Sequence, residues 1–207
     1  TVGQERTVGV YSSGSFSAYD MLFINGTVRA ESASTFGDAS DNTFYFPSVS
    51  VAWQFTNLLQ MKEELLSFGK LRFSYGEVGV QPQRYKTSST FISPNFSDNT
   101  GGGSLAGALY GNGAFVPNTS RGSLSLLPER KKEMEIGVDL RFLKDKLSFN
   151  ATYFKNYTED VLLDFPIANS RGITSLYTNG AEIENKGVEL DLGYNIFKSK
   201  VWNWNVG

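Results

Sequence analysis

Charged and apolar side chains alternate along residues 133–142, and this stretch holds the residue pattern best suited to chemistry. Glu133 and Glu135 are carboxylates on alternate positions, and a pair of carboxylates is the machinery of glycoside hydrolysis. Successive side chains of a strand point to opposite faces, so the alternation predicts a β-strand with one charged and one apolar face. Because Asp139 and Arg141 share the charged face, we expect these groups to line a wet surface rather than to catalyse.

The composition excludes several other kinds of chemistry. The 207 residues contain no His and no Cys, which removes Ser–His and Cys–His catalysis, disulfides and zinc sites built from these ligands. Asp38, Asp41 and Asn42 form a short acidic cluster, but they lack the spacing of a calcium loop and predict a solvated loop. A net charge of −2 without a basic cluster argues against nucleic-acid binding. We therefore expect no enzymatic activity, no metal and no cofactor.

The same alternation predicts the elements that carry these side chains. Eight segments show it, at residues 7–17, 21–31, 48–55, 70–75, 133–142, 147 to beyond 161, 188–196 and 202–206. Their connections alternate between short turns and longer loops, and aromatic residues lie near the turns. Outer-membrane barrels have short periplasmic turns, longer extracellular loops and aromatic girdles. The pattern predicts an all-β fold, an antiparallel up-and-down transmembrane β-barrel segment of about eight strands.

The charged side chains of such a segment would face a wet interior. The predicted lumen-lining residues are Arg29, Glu31, Arg72, Glu135, Asp139 and Arg141. Two alternatives stay open, because alternation also occurs in a soluble sheet with one wet face. One is a soluble carbohydrate-binding β-sandwich, and the other is a self-contained small outer-membrane barrel with a structural or adhesive role.

The longest irregular stretch, residues 80–127, is the predicted region of contact with a substrate or a covering partner. It is rich in Gly, Ser, Asn and aromatic residues, whose rings could stack on sugars. The candidate contact residues are Arg84, Tyr85, Phe91, Phe96, Tyr110 and Phe115. For any one of them, packing within the loop or against neighbouring loops is the simpler interpretation.

Four short motifs, in matching order and spacing, carry a resemblance to a known family. They are FPSVSVAW at 46–53, LRFSYGEVG at 71–79, PERKKEMEIGVD at 128–139 and NGAEIENKGVE at 179–189. Over nearly its whole length the chain resembles the C-terminal part of the barrel of SusC/RagA-type TonB-dependent outer-membrane transporters of Bacteroidetes. It departs from the family pattern at Val80, where Asn is usual, and at Gly180 and Ala181, near which Asn-x-Gly is frequent.

The resemblance implies active import across the outer membrane, which is also the location we expect. Family members are barrels of about 22 strands, plugged by an N-terminal domain and energised through a TonB box by the inner-membrane TonB complex. A SusD-like lipoprotein typically covers the extracellular mouth, and the substrates are mostly oligosaccharides, sometimes peptides. Residues 1–207 would then be part of the barrel domain, in contact with outer-membrane lipid, and a fragment of a longer chain without plug or TonB box.

Some residues also carry local predictions. Pro47 lacks a backbone N–H and is predicted to open the third strand, where that loss costs least. Asn185, Lys186 and Gly187 are predicted to mark a bend or bulge at the start of the seventh strand. A helical turn is expected within residues 56–67, where leucines flank a charged run.

Overall fold

The computed structural model describes residues 4–36, 43–56, 65–92, 95–98, 101–104, 115–198 and 203–207. It describes only the backbone of residues 95–98, 101–104, 197–198, 203 and 205. The acidic cluster of Asp38, Asp41 and Asn42 lies outside the described residues. So does most of the segment in which a helical turn is expected, residues 57–64.

Strands make up most of the described chain, accompanied by two short 3₁₀ turns at Ser34–Phe36 and Asn169–Arg171. The strands are β1 (Thr7–Ala18), β2 (Leu22–Ala33), β3 (Thr43–Gln54), β4 (Leu66–Val80), β5 (Phe91–Ile92), β6 (Asn95–Asp98), β7 (Gly101–Ser104), β8 (Val116–Pro117), β9 (Ser120–Arg121), β10 (Glu129–Phe142), β11 (Leu147–Glu159), β12 (Leu162–Pro166), β13 (Ser175–Asn179), β14 (Ile183–Lys198) and β15 (Asn203–Val206). Within the described ranges, no helix is long and apolar enough to cross a membrane.

One antiparallel sheet of eight strands dominates the fold, in the order β1-β2-β3-β4-β10-β11-β14-β15. Each strand pairs with the next long strand along the chain, so the predicted up-and-down connectivity is confirmed. β1 and β15 are the two edges and do not pair with each other, so the sheet is an open segment. Smaller sheets, β12-β13-β9, β5-β8 and β6-β7, lie in the connections.

The connections at the two ends of the sheet differ in length. At one end, β1 passes to β2 through Tyr19 and Asp20, both with positive φ, and Met21 N donates to Ala18 O at 3.0 Å. Two central residues of positive φ make a turn whose twist matches a hairpin. The turn from β10 to β11 lies at this same end, as does the connection of residues 55–65. Residues 34–42 connect strands at the other end, which also holds the two longest connections, residues 81–128 and 160–182. This asymmetry is the one typical of outer-membrane barrels.

The two faces of the main sheet have opposite chemistry, because the strand register keeps alternate positions on one side. The polar face carries Asn25, Thr27, Arg29, Glu31, Ser48, Ser50, Lys70, Arg72, Ser74, Glu133, Glu135, Asp139, Arg141, Asn150, Thr152, Glu189 and Asp191. The apolar face carries Leu22, Ile24, Val28, Val49, Val51, Trp53, Leu71, Phe73, Tyr75, Met134, Ile136, Val138, Leu140, Phe149, Ala151, Tyr153, Val188, Leu190 and Leu192.

The apolar face is open rather than buried. Val188, Leu190 and Leu192 expose 64%, 69% and 61% of their surface. A β-sandwich would bury such residues under a second sheet about 10 Å away, so the sandwich alternative does not fit. Buried side chains, among them Leu126 and Tyr177, lie instead near the end with the longest connections.

Three local predictions were wrong. The sixth strand does not continue past Val161: β11 ends at Glu159, and Asp160, with φ of 56°, turns the chain into β12, which pairs with β13. Pro47 lies inside β3, opposite Val28, because β3 continues along β2 up to Thr43. Its missing N–H is tolerated there, since the ladder with β4 begins only at Ser48.

The third wrong prediction is the bulge at Asn185, Lys186 and Gly187. The register between β11 and β14 runs through these residues without a shift. Gly187 has a packing role instead, because a Cβ there would lie 2.8 Å from Cζ of Phe154 on the neighbouring strand.

Candidate functional site

Arg72 joins three strands on the polar face. Its Nε donates to Asp139 Oδ1 at 3.1 Å, and its Nη2 donates to Thr152 Oγ1 at 3.2 Å. The side chain crosses Gly137, the register partner of both Arg72 and Thr152, where a Cβ would lie 2.8 Å from Nη2. Lys70 Nζ also pairs with Asp139, at 2.7 Å. Glycine at 137 thus lets one guanidinium lie across the middle strand and tie β4 to β10 and β11.

A recess of about 600 Å³ lies beside this cluster, on the polar face between β2, β3, β4 and β10. Its lining includes the small side chains of Ser48, Ser50 and Ser74, which leave the space open. Asn25 Nδ2 donates to Ser50 Oγ at 3.4 Å, and Ser74 Oγ donates to Glu135 Oε2 at 3.5 Å. Hydroxyl, amide and carboxylate groups therefore converge on a space in which a polar solute could form hydrogen bonds.

Two ion pairs line the recess. Arg29 Nη2 lies 2.7 Å from Glu31 Oε2, and Lys131 Nζ lies 3.1 Å from Glu133 Oε2. Glu133 and Glu135 are thus engaged with different partners, the first with a lysine and the second with a serine. This arrangement fits a polar lining better than an acid–base pair for glycoside hydrolysis.

All six predicted lumen-lining residues lie on the polar face. Arg29, Glu31 and Glu135 surround the recess, while Arg72 and Asp139 form the three-strand cluster. Arg141 lies closer to the short turns, where its guanidinium stacks over the Phe68 ring at 5.1 Å. In the part of the chain that the structure describes, no group of three or more His, Cys, Asp or Glu side chains could hold a metal ion.

Residues 81–92, 115–128 and 160–182 pack into one unit, here called the loop block. Lys86 Nζ lies 3.2 Å from Asp164 Oδ2 and 4.9 Å from the centre of the Tyr177 ring. Ser120 and Arg121 of β9 pair in parallel with β13, and Leu126 is fully buried. The predicted contact region is therefore anchored at both ends to the connection between β11 and β14.

Asn179 holds the loop block together. Its Nδ2 donates to Leu127 O at 2.9 Å and to Asp160 O at 2.7 Å, and its Oδ1 accepts from Leu127 N at 2.9 Å. One side chain thus satisfies backbone groups of two separate connections. Asn179 begins the motif at 179–189, but nothing in the local sequence pattern predicts these contacts. Lys86 was missed altogether, because nothing in the local pattern links it to Asp164.

The candidate contact residues occupy different environments. Tyr85, Phe91 and Phe115 expose 60%, 66% and 61% of their surface. Arg84 Nε lies 3.6 Å from Glu5 Oε2. Phe96 is described by its backbone alone, in β6, and Tyr110 lies outside the described residues.

The comparison that decides the family covers the chain from end to end. Residues 1–207 match the family model described as TonB dependent receptor-like, beta-barrel. The chain belongs to this family. It is therefore an outer-membrane protein, as the sequence predicted, and the apolar face of its sheet is the lipid-facing side of a transmembrane barrel segment.

Relatives and a solved structure agree with this family. TonB-dependent receptor P3 of Formosa agariphila is 24% identical over 99% of this chain and 20% of its own length. TonB-dependent receptor P26 of the same organism is 27% identical over 85% of this chain and 17% of its own length. A structure of the RagAB peptide importer in an open-open state superposes with a TM-score of 0.77, at 22% identity, over 96% of this chain and 20% of that one. The resemblance to SusC/RagA-type receptors is confirmed, and the chain spans about a fifth of these proteins.

The family fixes the orientation of the TonB-dependent receptor segment in the membrane. Short turns of such barrels are periplasmic, so the loop block lies on the extracellular side. On the lipid-facing side of β10, the apolar series runs from Met134 to Phe142. Eight strand steps give about 27 Å along the strand, or roughly 20 Å across the membrane after the tilt of 35–45°. The apolar series therefore matches most of the hydrocarbon layer.

Proposed function

We propose that this chain forms part of the wall and extracellular mouth of an outer-membrane importer of oligosaccharides or peptides. The barrel domain includes residues 1–207 and works with a plug and TonB box carried by other parts of the protein. The TonB complex supplies energy through that box, and a SusD-like lipoprotein covers the mouth. The protein binds and transports its substrate without chemical change.

The observation that carries the proposal is the two-faced sheet. Its polar face is concave at the recess and holds paired charges and small hydroxyl side chains, which suit a hydrated passage. Its opposite face is apolar and exposed over the strand lengths that a membrane requires. In the proposed transporter, the polar face lines the lumen, and Arg29, Glu31 and Glu135 meet a passing solute.

The loop block supports a contact role at the mouth. Its anchored ends hold Tyr85, Phe91 and Phe115 on the extracellular side with their rings exposed. Exposed aromatic residues on a rigid base are typical of binding surfaces. We propose that these three rings contact the substrate or the covering lipoprotein.

The self-contained eight-stranded barrel has less support. It would require β1 and β15 to pair with each other, whereas they form two open edges. An open wall segment fits a larger barrel.

Uptake by cells that express the full-length receptor tests the proposed function. Cells lacking the gene receive unmodified receptor or the triple variant Tyr85→Ala, Phe91→Ala, Phe115→Ala, and take up labelled oligosaccharide and peptide mixtures. We expect uptake of one class with unmodified receptor and at least a tenfold loss with the triple variant. Leu124→Ala, an exposed apolar residue of the same block, is the matched control.

Co-purification gives the second half of that test. A SusD-like lipoprotein is expected to purify with the unmodified receptor from outer membranes. Uptake of neither class by cells with correctly inserted receptor would contradict the proposal, and normal uptake by the triple variant would remove the role of the three rings.

A further inference from the structure

The chain that leaves β4 crosses the extracellular ends of β2 and β3. Gln81 directly follows β4, yet its side chain reaches residues at the start of β1. Thr7 Oγ1 donates to Gln81 Oε1 at 3.2 Å, and Gln81 Nε2 donates to Glu5 Oε1. Three strand spacings, about 14 Å, separate β4 from β1 along the sheet. Residues 81–85 therefore lie over the ends of the strands between them.

This crossing takes place on the polar-face side of the sheet. Phe46 of β3 is the register partner of Arg29, so it shares the polar face. Its ring lies against Gly79, where a Cβ would overlap it, and Gln81 borders the same small cavity as Phe46. The segment thus bends toward the lumen rather than toward lipid. In the proposed transporter it lies beside the path of a solute that enters the barrel.

The crossing forms an open recess of about 700 Å³, here called the outer recess. Its lining consists of Glu5, Gln81, Pro82, Gln83, Arg84 and Tyr85. Both carboxylate oxygens of Glu5 are engaged, since Gln81 Nε2 donates to Oε1 and Arg84 Nε lies 3.6 Å from Oε2. Because the carboxylate and the guanidinium compensate each other, the outer recess offers hydrogen-bonding groups without a net charge.

Two of the lining residues occupy the centre of a strained turn. Lys86 N donates to Gln83 O at 3.4 Å, which makes Arg84 and Tyr85 the central residues of a β-turn. Tyr85 has a φ of 62°, a conformation that such turns normally assign to glycine. A bulky residue with this φ is uncommon, and strain of this kind clusters at ligand-binding positions. The ring that the turn brings to the outer recess is 60% exposed.

Buried groups hold the turn in place. Gln83 N donates to the hydroxyl of Tyr177, a buried residue, at 3.4 Å. Gly122 passes so close to Lys86 that a Cβ there would overlap the Lys86 carbonyl oxygen. Because the backbone is fixed on both sides of the turn, the Tyr85 ring has a preformed position. Preformed positions lower the conformational entropy that binding costs.

The groups of the outer recess match the chemistry of a sugar. A pyranose presents polarised C–H groups on the face of its ring and hydroxyl groups around its edge. An aromatic face attracts C–H groups of this kind, while amide, carboxylate and guanidinium groups together donate to and accept from hydroxyls. A charged ligand would find no net charge. A peptide would find no strand to pair with among residues 81–85, all of which the structure describes.

We propose that the outer recess binds an uncharged pyranose unit of an oligosaccharide. Tyr85 stacks on the sugar ring, and Glu5, Gln81 and Arg84 form hydrogen bonds with its hydroxyls. The inference rests on the proposed function and names its substrate class as neutral glycans rather than peptides.

Calorimetric titration of the full-length receptor in mild detergent tests the site. The probes are a panel of neutral oligosaccharides, made of glucans, mannans, xylans and galactans, and a panel of oligopeptides of the same length. We expect the receptor to bind a member of the glycan panel and to prefer it over the peptides. Its affinity should be insensitive to salt, because screening weakens only interactions between charges.

Tyr85→Gly removes the aromatic ring and relieves the strain of the turn at the same time. This variant should bind the glycan about tenfold more weakly, since the stacking contact is lost. It should keep its resistance to heat, because glycine adopts a positive φ without strain. Tyr19→Gly is the matched control, because Tyr19 is also exposed and has a φ of 53° but lies in the periplasmic turn between β1 and β2. The control should bind the glycan like the unmodified receptor.

Glu5→Gln tests the polar half of the outer recess independently of the turn. The substitution keeps the shape of the side chain but removes the charge that pairs with Arg84. We expect about fivefold weaker glycan binding, from the loss of charge-assisted hydrogen bonds. This variant keeps the test decisive if Tyr85→Gly does not fold.

Three outcomes would overturn the inference. They are failure of the unmodified receptor to bind any glycan of the panel, unchanged binding by Tyr85→Gly, and preferred binding of peptides that depends on Tyr85. Uptake is scored separately. A receptor that imports peptides and binds no glycan contradicts this inference alone, whereas one that binds glycan through Tyr85 but imports neither class contradicts the proposed function alone.

Discussion

At the scale of single residues, glycine and arginine act together on the polar face. Arg72 pairs with Asp139, and it reaches Thr152 across Gly137, where a Cβ would lie 2.8 Å from the donating Nη2. The sequence predicted that Arg72 and Asp139 share a face, since strand alternation fixes that. It did not predict the bridge to Thr152, which depends on the register of three strands that are distant in sequence.

A double-mutant cycle tests this bridge. Gly137→Ala should lower the free energy of unfolding by about 1 kcal/mol, because the added Cβ displaces a partly exposed, charge-paired guanidinium. In an Arg72→Ala background the same change should be neutral or stabilising, since strands prefer Ala to Gly. Denaturant unfolding of the full-length receptor in detergent measures both. Equal losses in the two backgrounds would show that Gly137 serves another purpose.

At the scale of elements, the structure of the loop block could not be predicted from the sequence. The long strands follow from alternation, which is a local property. β12 and β13 each have only five residues, and the turn at Asp160 that separates β12 from β11 depends on contacts made by Asn179. Those contacts join residues 52 positions apart, from Leu127 to Asn179, so no local pattern reports them.

Replacing Asn179 should loosen the loop block. Asn179→Ala removes three hydrogen bonds to the backbone, and each contributes about 1 kcal/mol. We expect limited proteolysis of intact cells to cleave within residues 160–182 at least tenfold faster in this variant. Asn169→Ala, an exposed asparagine of the same connection, should cleave at the unmodified rate. Equal protection of both variants would mean that other contacts hold the block.

Charged substitutions on the two faces of β14 should differ in their effect on stability. Leu192→Arg places a charge against lipid and should cost about 2–4 kcal/mol if the site is near the centre of the membrane. Glu189→Arg changes charge by more but lies on the polar face, and it should cost little. The fraction of receptor that resists heat unfolding in detergent gels measures the difference. Similar losses from both changes would contradict the assignment of the faces.

At the scale of the whole molecule, the open sheet explains the low hydrophobic share of 40%. A soluble domain of this length would bury a core, whereas here most of the apolar face remains exposed and packing is concentrated in the loop block. Lipid takes the place of a second layer of protein. The fold class and the connectivity were predicted from the two-residue period and the loop asymmetry, which reflect the membrane directly, and the family was predicted from four short motifs.

The most direct test of this account is a cysteine scan of β14 in the full-length receptor, reconstituted in lipid vesicles. Single cysteines at positions 188 to 193, in a background without other cysteines, receive a spin label whose relaxation by oxygen and by a water-soluble nickel complex is measured. We predict that positions 188, 190 and 192 respond mainly to oxygen, which concentrates in lipid, and positions 189, 191 and 193 mainly to nickel. Responses without this two-residue period would contradict a membrane-spanning wall.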